Sequence, residues 1–148
     1  MPLQLRPTHP DDWPFVLHLL QTTMRGYVEA VWGRWDEAVN SEAAMKMCST
    51  GQGSIIRRDG SDIGLIVVER AATHYQLEQL FLLPAHQRQG LGTQLVTALV
   101  AEAQARNLPV RLRVLTSNPA RALYERLGFA VIESTPQRHT MEHRPRPL

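Results

Sequence analysis

The stretch Leu80-Phe81-Leu82-Leu83-Pro84-Ala85-His86-Gln87-Arg88-Gln89-Gly90-Leu91-Gly92 places an apolar run, a proline stop and two glycines directly ahead of an apolar-periodic segment. A strand ending in such a loop, with a helix opening from it, is built to hold an anion. Glycines let the backbone approach a ligand closely, and the free amides of a first helical turn supply donors and the positive end of the dipole. A phosphate or pyrophosphate suits the loop. Two common versions are excluded. The dinucleotide fingerprint needs a third glycine where Leu95 stands, and it opens a first βαβ unit rather than following a late strand. The nucleoside triphosphate loop needs Gly-Lys-Ser or Gly-Lys-Thr, and the chain has neither. A plain tight turn before a helix also fits Gly90-Leu91-Gly92 taken alone.

Other groups that carry chemistry are sparse. Tyr27, Trp32 and Trp35 stand near Glu29, Asp36 and Glu37, so this segment reads either as an aromatic pocket for a cationic amine or as core. Cys48 is the single cysteine, which excludes an internal disulfide and reads best as a small packing residue. His9, His18, His139 and His143 lack metal-ligand spacing, and His74 and His86 read mainly as loop residues; no metal is expected.

The elements that must position these groups follow from periodicity and punctuation. Leu3 and Leu5 alternate as a short strand; Thr8 or Asp11 can cap a helix with Trp13, Val16, Leu17 and Leu20 on its apolar face. A helical region from Met24 to Met47 breaks near Trp32-Gly33-Arg34-Trp35. Ser54–Arg57 and Ile63–Val68 flank an Asp59-Gly60 turn and form a hairpin. Tyr75 to Leu83 forms a further strand, with Leu77, Gln79, Phe81 and Leu83 on one face and Gln76, Glu78, Leu80 and Leu82 on the other. Leu91, Leu95, Leu99 and Ala103 mark a helix; Val110, Leu112 and Val114 a strand; Ser117 or Asn118 caps a helix that Gly128 ends; and Ala130–Ser134 with Arg138–Glu142 closes the set. The order β, α, α, β, β, β, α, β, α, β, β predicts one α/β (α+β) domain with a mixed, largely antiparallel sheet flanked by helices. The domain is expected over residues 1–143, followed by a short disordered tail over residues 144–148.

These residues resemble the GNAT (GCN5-related) N-acetyltransferase family. Gln87-Arg88-Gln89-Gly90-Leu91-Gly92 is similar to its signature: Gln or Arg, two variable residues, Gly, one variable residue, then Gly or Ala, with Leu80, Leu82 and Pro84 where aliphatics and a proline are expected. Asn118-Pro119-Ala120-Arg121-Ala122-Leu123-Tyr124-Glu125-Arg126-Leu127-Gly128-Phe129 looks like the family's second cofactor segment, in the right order and spacing. The resemblance spans nearly the whole chain; the N-terminal third, which would bind the acceptor, matches loosely.

The resemblance implies acetyl-coenzyme A as co-substrate. Backbone around Gln87, Arg88, Gln89, Gly90, Leu91, Gly92 and Thr93 would grip its pyrophosphate, and the strand edge at Phe81, Leu82 and Leu83 would pair with the pantetheine arm. An amide near Leu82 would polarise the thioester carbonyl. Tyr124 stands where the family places its general acid, although packing on core or cofactor would also explain it; Asn118 caps its helix and touches the cofactor. Glu78 is the candidate base, with substrate binding or structure as its other readings, and Tyr27, Trp32 and Trp35 belong to the acceptor wall. The implied reaction is acetyl transfer to a primary amine by direct attack in a ternary complex. A non-catalytic acyl-coenzyme A module or sensor of the same fold is the alternative from a different class.

Composition narrows the partners. Sixteen Lys plus Arg against fourteen Asp plus Glu give a formal charge of +2, too mild for a nucleic-acid footprint built on many phosphate contacts. With no run of 18 apolar residues and no signal-like start, the expectation is a cytoplasmic protein without a membrane partner, acting on a small-molecule or peptide amine, with a homodimer possible.

Overall fold

The computed structural model describes residues 3–147. Strand β1 (Gln4–Pro7) leads through a 3-10 turn (Pro10–Asp12) into α1 (Trp13–Thr23), α2 (Arg25–Trp32) and α3 (Glu37–Ser49). Then come β2 (Gly53–Arg58), β3 (Ser61–Arg70), β4 (Tyr75–Leu82), α4 (Leu91–Ala105), β5 (Val110–Leu115), α5 (Ala120–Arg126), β6 (Ala130–Ser134) and β7 (Arg138–His143). The seven strands form one sheet in the order β1-β2-β3-β4-β5-β7-β6, antiparallel throughout except where β4 meets β5. This is the mixed, largely antiparallel α/β domain that the pattern predicts.

Local chemistry explains the element boundaries. Asp59 (φ 52°) and Gly60 (φ 79°) are both left-handed, which is what a two-residue type I′ hairpin between β2 and β3 requires. The first helical turn departs from expectation. Its cap is neither Thr8 nor Asp11 but His9, whose Nδ1 accepts from the Asp11 amide at 3.1 Å while the Asp12 carboxylate accepts from the His9 amide at 2.7 Å. Leu19, rather than Leu17, joins Val16 and Leu20 as the buried face of α1, because Val16, Leu19 and Leu20 keep the i, i+3, i+4 spacing. The described residues after β7 have no regular structure, yet Arg146 is tied to α4: its amide donates to Gln104 Oε1 at 2.7 Å and its carbonyl accepts from Gln104 Nε2 at 3.1 Å.

Helices cover both faces of the sheet. On one, Leu91, Leu95, Val96, Leu99 and Ala103 of α4 pack with Tyr124 of α5 against Ile56, Ile66, Val68, Leu77, Leu112 and Met141. On the other, Val16, Leu19 and Leu20 of α1 and Ala44 and Cys48 of α3 pack against Ile55, Leu65, Val67 and Phe81.

The strict alternation expected along Tyr75–Leu83 does not hold. Val67 pairs with Gln79 and Val68 with Leu77, so Glu78 is an extra residue with no partner on β3, a β-bulge. Before the bulge Tyr75 and Leu77 face the α4 layer; after it Leu80 and Leu82 do, while Phe81 and Leu83 face α1. Glu78 therefore does not share a simple strand face with Leu80 and Leu82.

Beyond the bulge the sheet opens. Strands β4 and β5 pair only at Tyr75↔Val110, Gln76↔Arg111 and Leu77↔Leu112, whereas β5 continues against β7 to Leu115 and β4 against β3 to Leu82. Past Leu77 and Leu112 the two parallel strands have parted, leaving a wedge in the middle of the sheet.

Candidate active site

Two cavities of about 860 Å3 each flank this wedge. Their volume is within the usual range for small-molecule sites. One lies toward the β4–α4 loop and α5; the other lies under α2 and the α2–α3 loop, above β4, β5 and β7. Met24, Leu80, Phe81, Asn118, Ala120 and Tyr124 line both, so the cavities meet at that point.

The first cavity has the features of an anion site. Gly90 (φ 79°) sits at the N-terminus of α4 in the left-handed region, and Arg88 (φ 62°) adopts it too, which curls the loop that lines the cavity. The first bond of the helix runs from the Gln94 amide to the Gly90 carbonyl at 3.0 Å. Among the described residues the amides of Arg88 through Thr93 have no acceptor, and no side chain caps the helix. These orphan donors, with the Arg88 and Arg126 side chains on the cavity wall, fit a pyrophosphate.

The loop is pinned by side chains. Gln87 Nε2 donates to the Leu82 carbonyl at 2.9 Å, tying the loop to the end of β4. Gln89 faces away: it accepts from Arg58 Nη1 at 2.6 Å and donates to the Ala85 carbonyl at 3.0 Å, and it lines neither cavity. Leu83 also lies outside, because its amide donates to the Ile63 carbonyl at 2.8 Å and its side chain packs toward α1. That bond sets the polarity of β4. With Leu83 turned to β3, alternation turns the amides of Leu80 and Leu82 to the wedge. Gly64 keeps β3 and β4 close at this point, since a Cβ there would run into the Phe81 carbonyl oxygen.

Tyr124 stands at the meeting of the cavities. It is 9% exposed, packs edge-on to Phe129 at 5.7 Å, and its hydroxyl has no hydrogen-bond partner among the described residues. Burial alone pushes its pKa up to about 12, so the phenol stays protonated through the neutral range. Asn118 holds the neighbouring turn, its Oδ1 accepting from the Ala120 amide at 2.9 Å, as a cap should.

The second cavity contains Glu78, exposed and without an ion pair among the described residues, together with Trp32 and Trp35. Tyr27 is not with them; it lines the anion cavity, and its carbonyl accepts from Ser117 Oγ at 2.9 Å. The acids near the tryptophans are already engaged. Asp36 accepts from the Val39 amide at 3.1 Å as the cap of α3, Glu37 takes Trp35 Nε1 at 3.0 Å and Gln21 at 2.8 Å, and Glu29 pairs with Arg25 at 3.3 Å. The cations on both indoles are the protein's own: Arg138 lies 5.3 Å from the Trp32 ring centre and Arg25 5.9 Å from that of Trp35. Sequence reasoning missed Arg34, Arg113 and Arg138 as cavity residues. Their signal was arginine on strands and in a loop close to aromatics, which is legible only once β5 and β7 are known to be neighbours.

Residues 50–131 match the family model of the acetyltransferase (GNAT) domain. The chain belongs to the GNAT acetyltransferase family. Solved GNAT structures share its fold at low identity. The PaiA N-acetyltransferase of Thermoplasma acidophilum, solved with coenzyme A, superposes with a TM-score of 0.75 at 17% identity, over 97% of this chain and 99% of that one. An acetyltransferase of Thermus thermophilus gives 0.76 at 18% identity over 97% of each chain. The ribosomal-protein-S18-alanine N-acetyltransferase of Escherichia coli gives 0.69 at 20% identity, over 99% of this chain and 96% of that one. No curated protein sequence matches the chain. In this GNAT domain the matched region runs from just after α3 into the start of β6, so it contains the glycine loop, the wedge and Tyr124, and leaves out α1, α2, α3 and the tryptophans.

Proposed function

We propose that this protein transfers an acetyl group from acetyl-coenzyme A to a primary amine by direct attack within a ternary complex. The observation that carries the reading is the meeting of an anion cavity and a second, charged cavity at Tyr124, beside the two wedge-facing amides of β4. Bound acetyl-coenzyme A supplies an activated thioester; the chain's own groups do the rest. The amides of Arg88 to Thr93, with Arg88 and Arg126, hold the pyrophosphate. The Leu80 and Leu82 amides extend the sheet edge to the pantetheine arm, and one of them donates to the carbonyl oxygen as charge grows there.

An alkylamine is only about one part in a thousand deprotonated at neutral pH, a handicap of about 4 kcal/mol. Glu78 accepts that proton, directly or through one water, as the nitrogen attacks the carbonyl carbon. The carbon–sulfur bond then breaks, and the Tyr124 hydroxyl donates to the departing sulfur. Cys48 takes no part: it is buried against α1, and burial pushes its pKa up to about 11. The site acts inside a protein none of whose described helices is long and apolar enough to cross a membrane.

Calorimetric titration with acetyl-coenzyme A, then thiol release across a panel of amines, tests the reading. Binding with release for one class of amine is expected. Binding without release would establish a sensor in place of an enzyme, and no binding would end the proposal.

A further inference from the structure

The acceptor cavity carries a charge pattern of its own. Arg34, Arg113 and Arg138 line it, and none forms an ion pair or a side-chain hydrogen bond among the described residues. Other arginines hold carboxylates, as Arg70 holds Glu102 at 2.6 Å and Arg111 holds Glu142 at 2.7 Å, although Arg58, Arg88, Arg106, Arg126 and Arg146 do not among the described residues. Register places two of these arginines side by side on the sheet. Arg113 pairs with Thr140, and Arg138 pairs with Leu115, so Arg113 and Arg138 are diagonal neighbours on one face, their Cα atoms about 7–8 Å apart. That face is opposite Leu112 and Val114, which point into the α4 layer, and it is roofed by Trp32 stacked on Arg138.

Like charges brought together without a counterion repel, and an anion bound between them relieves the repulsion. The cavity has two carboxylates. Asp36 caps α3 through Oδ1 and keeps its charge, while Glu78 lies on β4, across the wedge from Arg113 and unpaired with it. Two carboxylates against three guanidiniums leave the cavity net positive, which is wrong for a polycation and right for a zwitterion.

We infer that the acceptor is a small amine that also bears a carboxylate or phosphate, its oxyanion held by Arg113 and Arg138 with Arg34 and its amine directed to Glu78. The inference rests on the acetyl-transfer reading above and narrows its substrate. Arg forks suit a planar carboxylate or a phosphate oxygen pair, and Trp32 fixes one of them by stacking.

The test uses the full-length protein at saturating acetyl-coenzyme A and follows thiol release with matched probes. The twenty common amino acids are compared with their decarboxylated amines, O-phosphoethanolamine with ethanolamine, and spermidine serves as the polycation. The acid member of at least one pair is expected to show a kcat/KM at least tenfold above its anion-free twin, with the carboxylate and phosphate arms telling which oxyanion is meant. For that substrate, Arg113→Gln and Arg138→Gln should each raise its KM at least tenfold and leave the KM of acetyl-coenzyme A unchanged, and Arg113→Lys should recover part of the loss. Preference for spermidine or for the anion-free twins overturns the inference, as does turnover of no acid-bearing probe while acetyl-coenzyme A still binds. Loss of acetyl-coenzyme A binding in the wild-type protein would instead overturn the acetyl-transfer reading itself.

Discussion

Replacing Tyr124 by Phe removes one hydroxyl from the junction of the two cavities, and burial sets how much that hydroxyl can do. The phenol is held near 12, whereas a thiol titrates near 8.5, so handing its proton fully to a thiolate is uphill by about 5 kcal/mol. A thiolate is also a fair leaving group without help. The contribution of Tyr124 is therefore mainly a charge-assisted hydrogen bond to sulfur as negative charge develops, about 1.5–3 kcal/mol, which is about 10- to 150-fold in kcat. Steady-state thiol release should show that loss with the KM of acetyl-coenzyme A nearly unchanged. The hydroxyl has no protein partner, so the melting temperature should move little. At alkaline pH the sign reverses against the wild type. Its tyrosine is raised from an ordinary value near 10 to about 12, so the unfolded chain gives up the proton first and stability falls between pH 10 and 12 by about 3 kcal/mol. The Phe variant lacks this component and should lose less over that window. An unchanged kcat would remove Tyr124 from the chemistry, and a loss beyond 1,000-fold at constant KM would refute the limit that burial imposes.

Glu78→Gln should lower kcat/KM about 100-fold near pH 7, and the deficit should shrink as pH approaches the pKa of the amine, where free base is supplied by solution; a deficit independent of pH would show that Glu78 is not the base. Gly64→Ala drives a Cβ into the Phe81 carbonyl and should cost about 1–3 kcal/mol in urea unfolding together with weaker acetyl-coenzyme A binding, because the β4 edge must shift; an unchanged midpoint would show that the strands can part freely. Glu142 is 8% exposed, and its hydrogen bond with Arg111, helped by Arg144, holds its carboxyl below the usual range. The stability it adds is present above pH 4.5 and lost as pH falls, so Glu142→Gln should cost about 1–2 kcal/mol at pH 7 and flatten the acid limb of a denaturation series.

What the sequence disclosed was chiefly what local chemistry dictates. The Asp59-Gly60 turn, the fourfold spacing of Leu91, Leu95, Leu99 and Ala103, and the break at Gly33 are short-range signals, and each element they mark is present. The anion loop was legible for the same reason: its glycines and its helix start are adjacent in the chain. Two features were not. The bulge at Glu78 leaves no local mark, since Tyr75–Leu83 alternates acceptably and only pairing with Val67 and Val68 exposes the extra residue. The acceptor cavity draws on α2, the α2–α3 loop, β4, β5 and β7, so the arginine cluster exists only in three dimensions. His9 escaped notice as a cap because an imidazole accepting through Nδ1 is an uncommon substitute for Ser, Thr, Asp or Asn.

The three-pair contact between β4 and β5 gives one strand two personalities. An interior strand of a seven-stranded sheet normally protects its amides for as long as the domain stays folded, and only rims exchange quickly with solvent. Here Leu80 and Leu82 are in the middle of the strand order yet present their N–H groups to open space, so deuterium should enter them on the timescale of a rim while Leu77, a few residues earlier, stays protected. A ligand that lies along the wedge would close that difference, turning the rate of isotope uptake at two neighbouring amides into a direct gauge of occupancy.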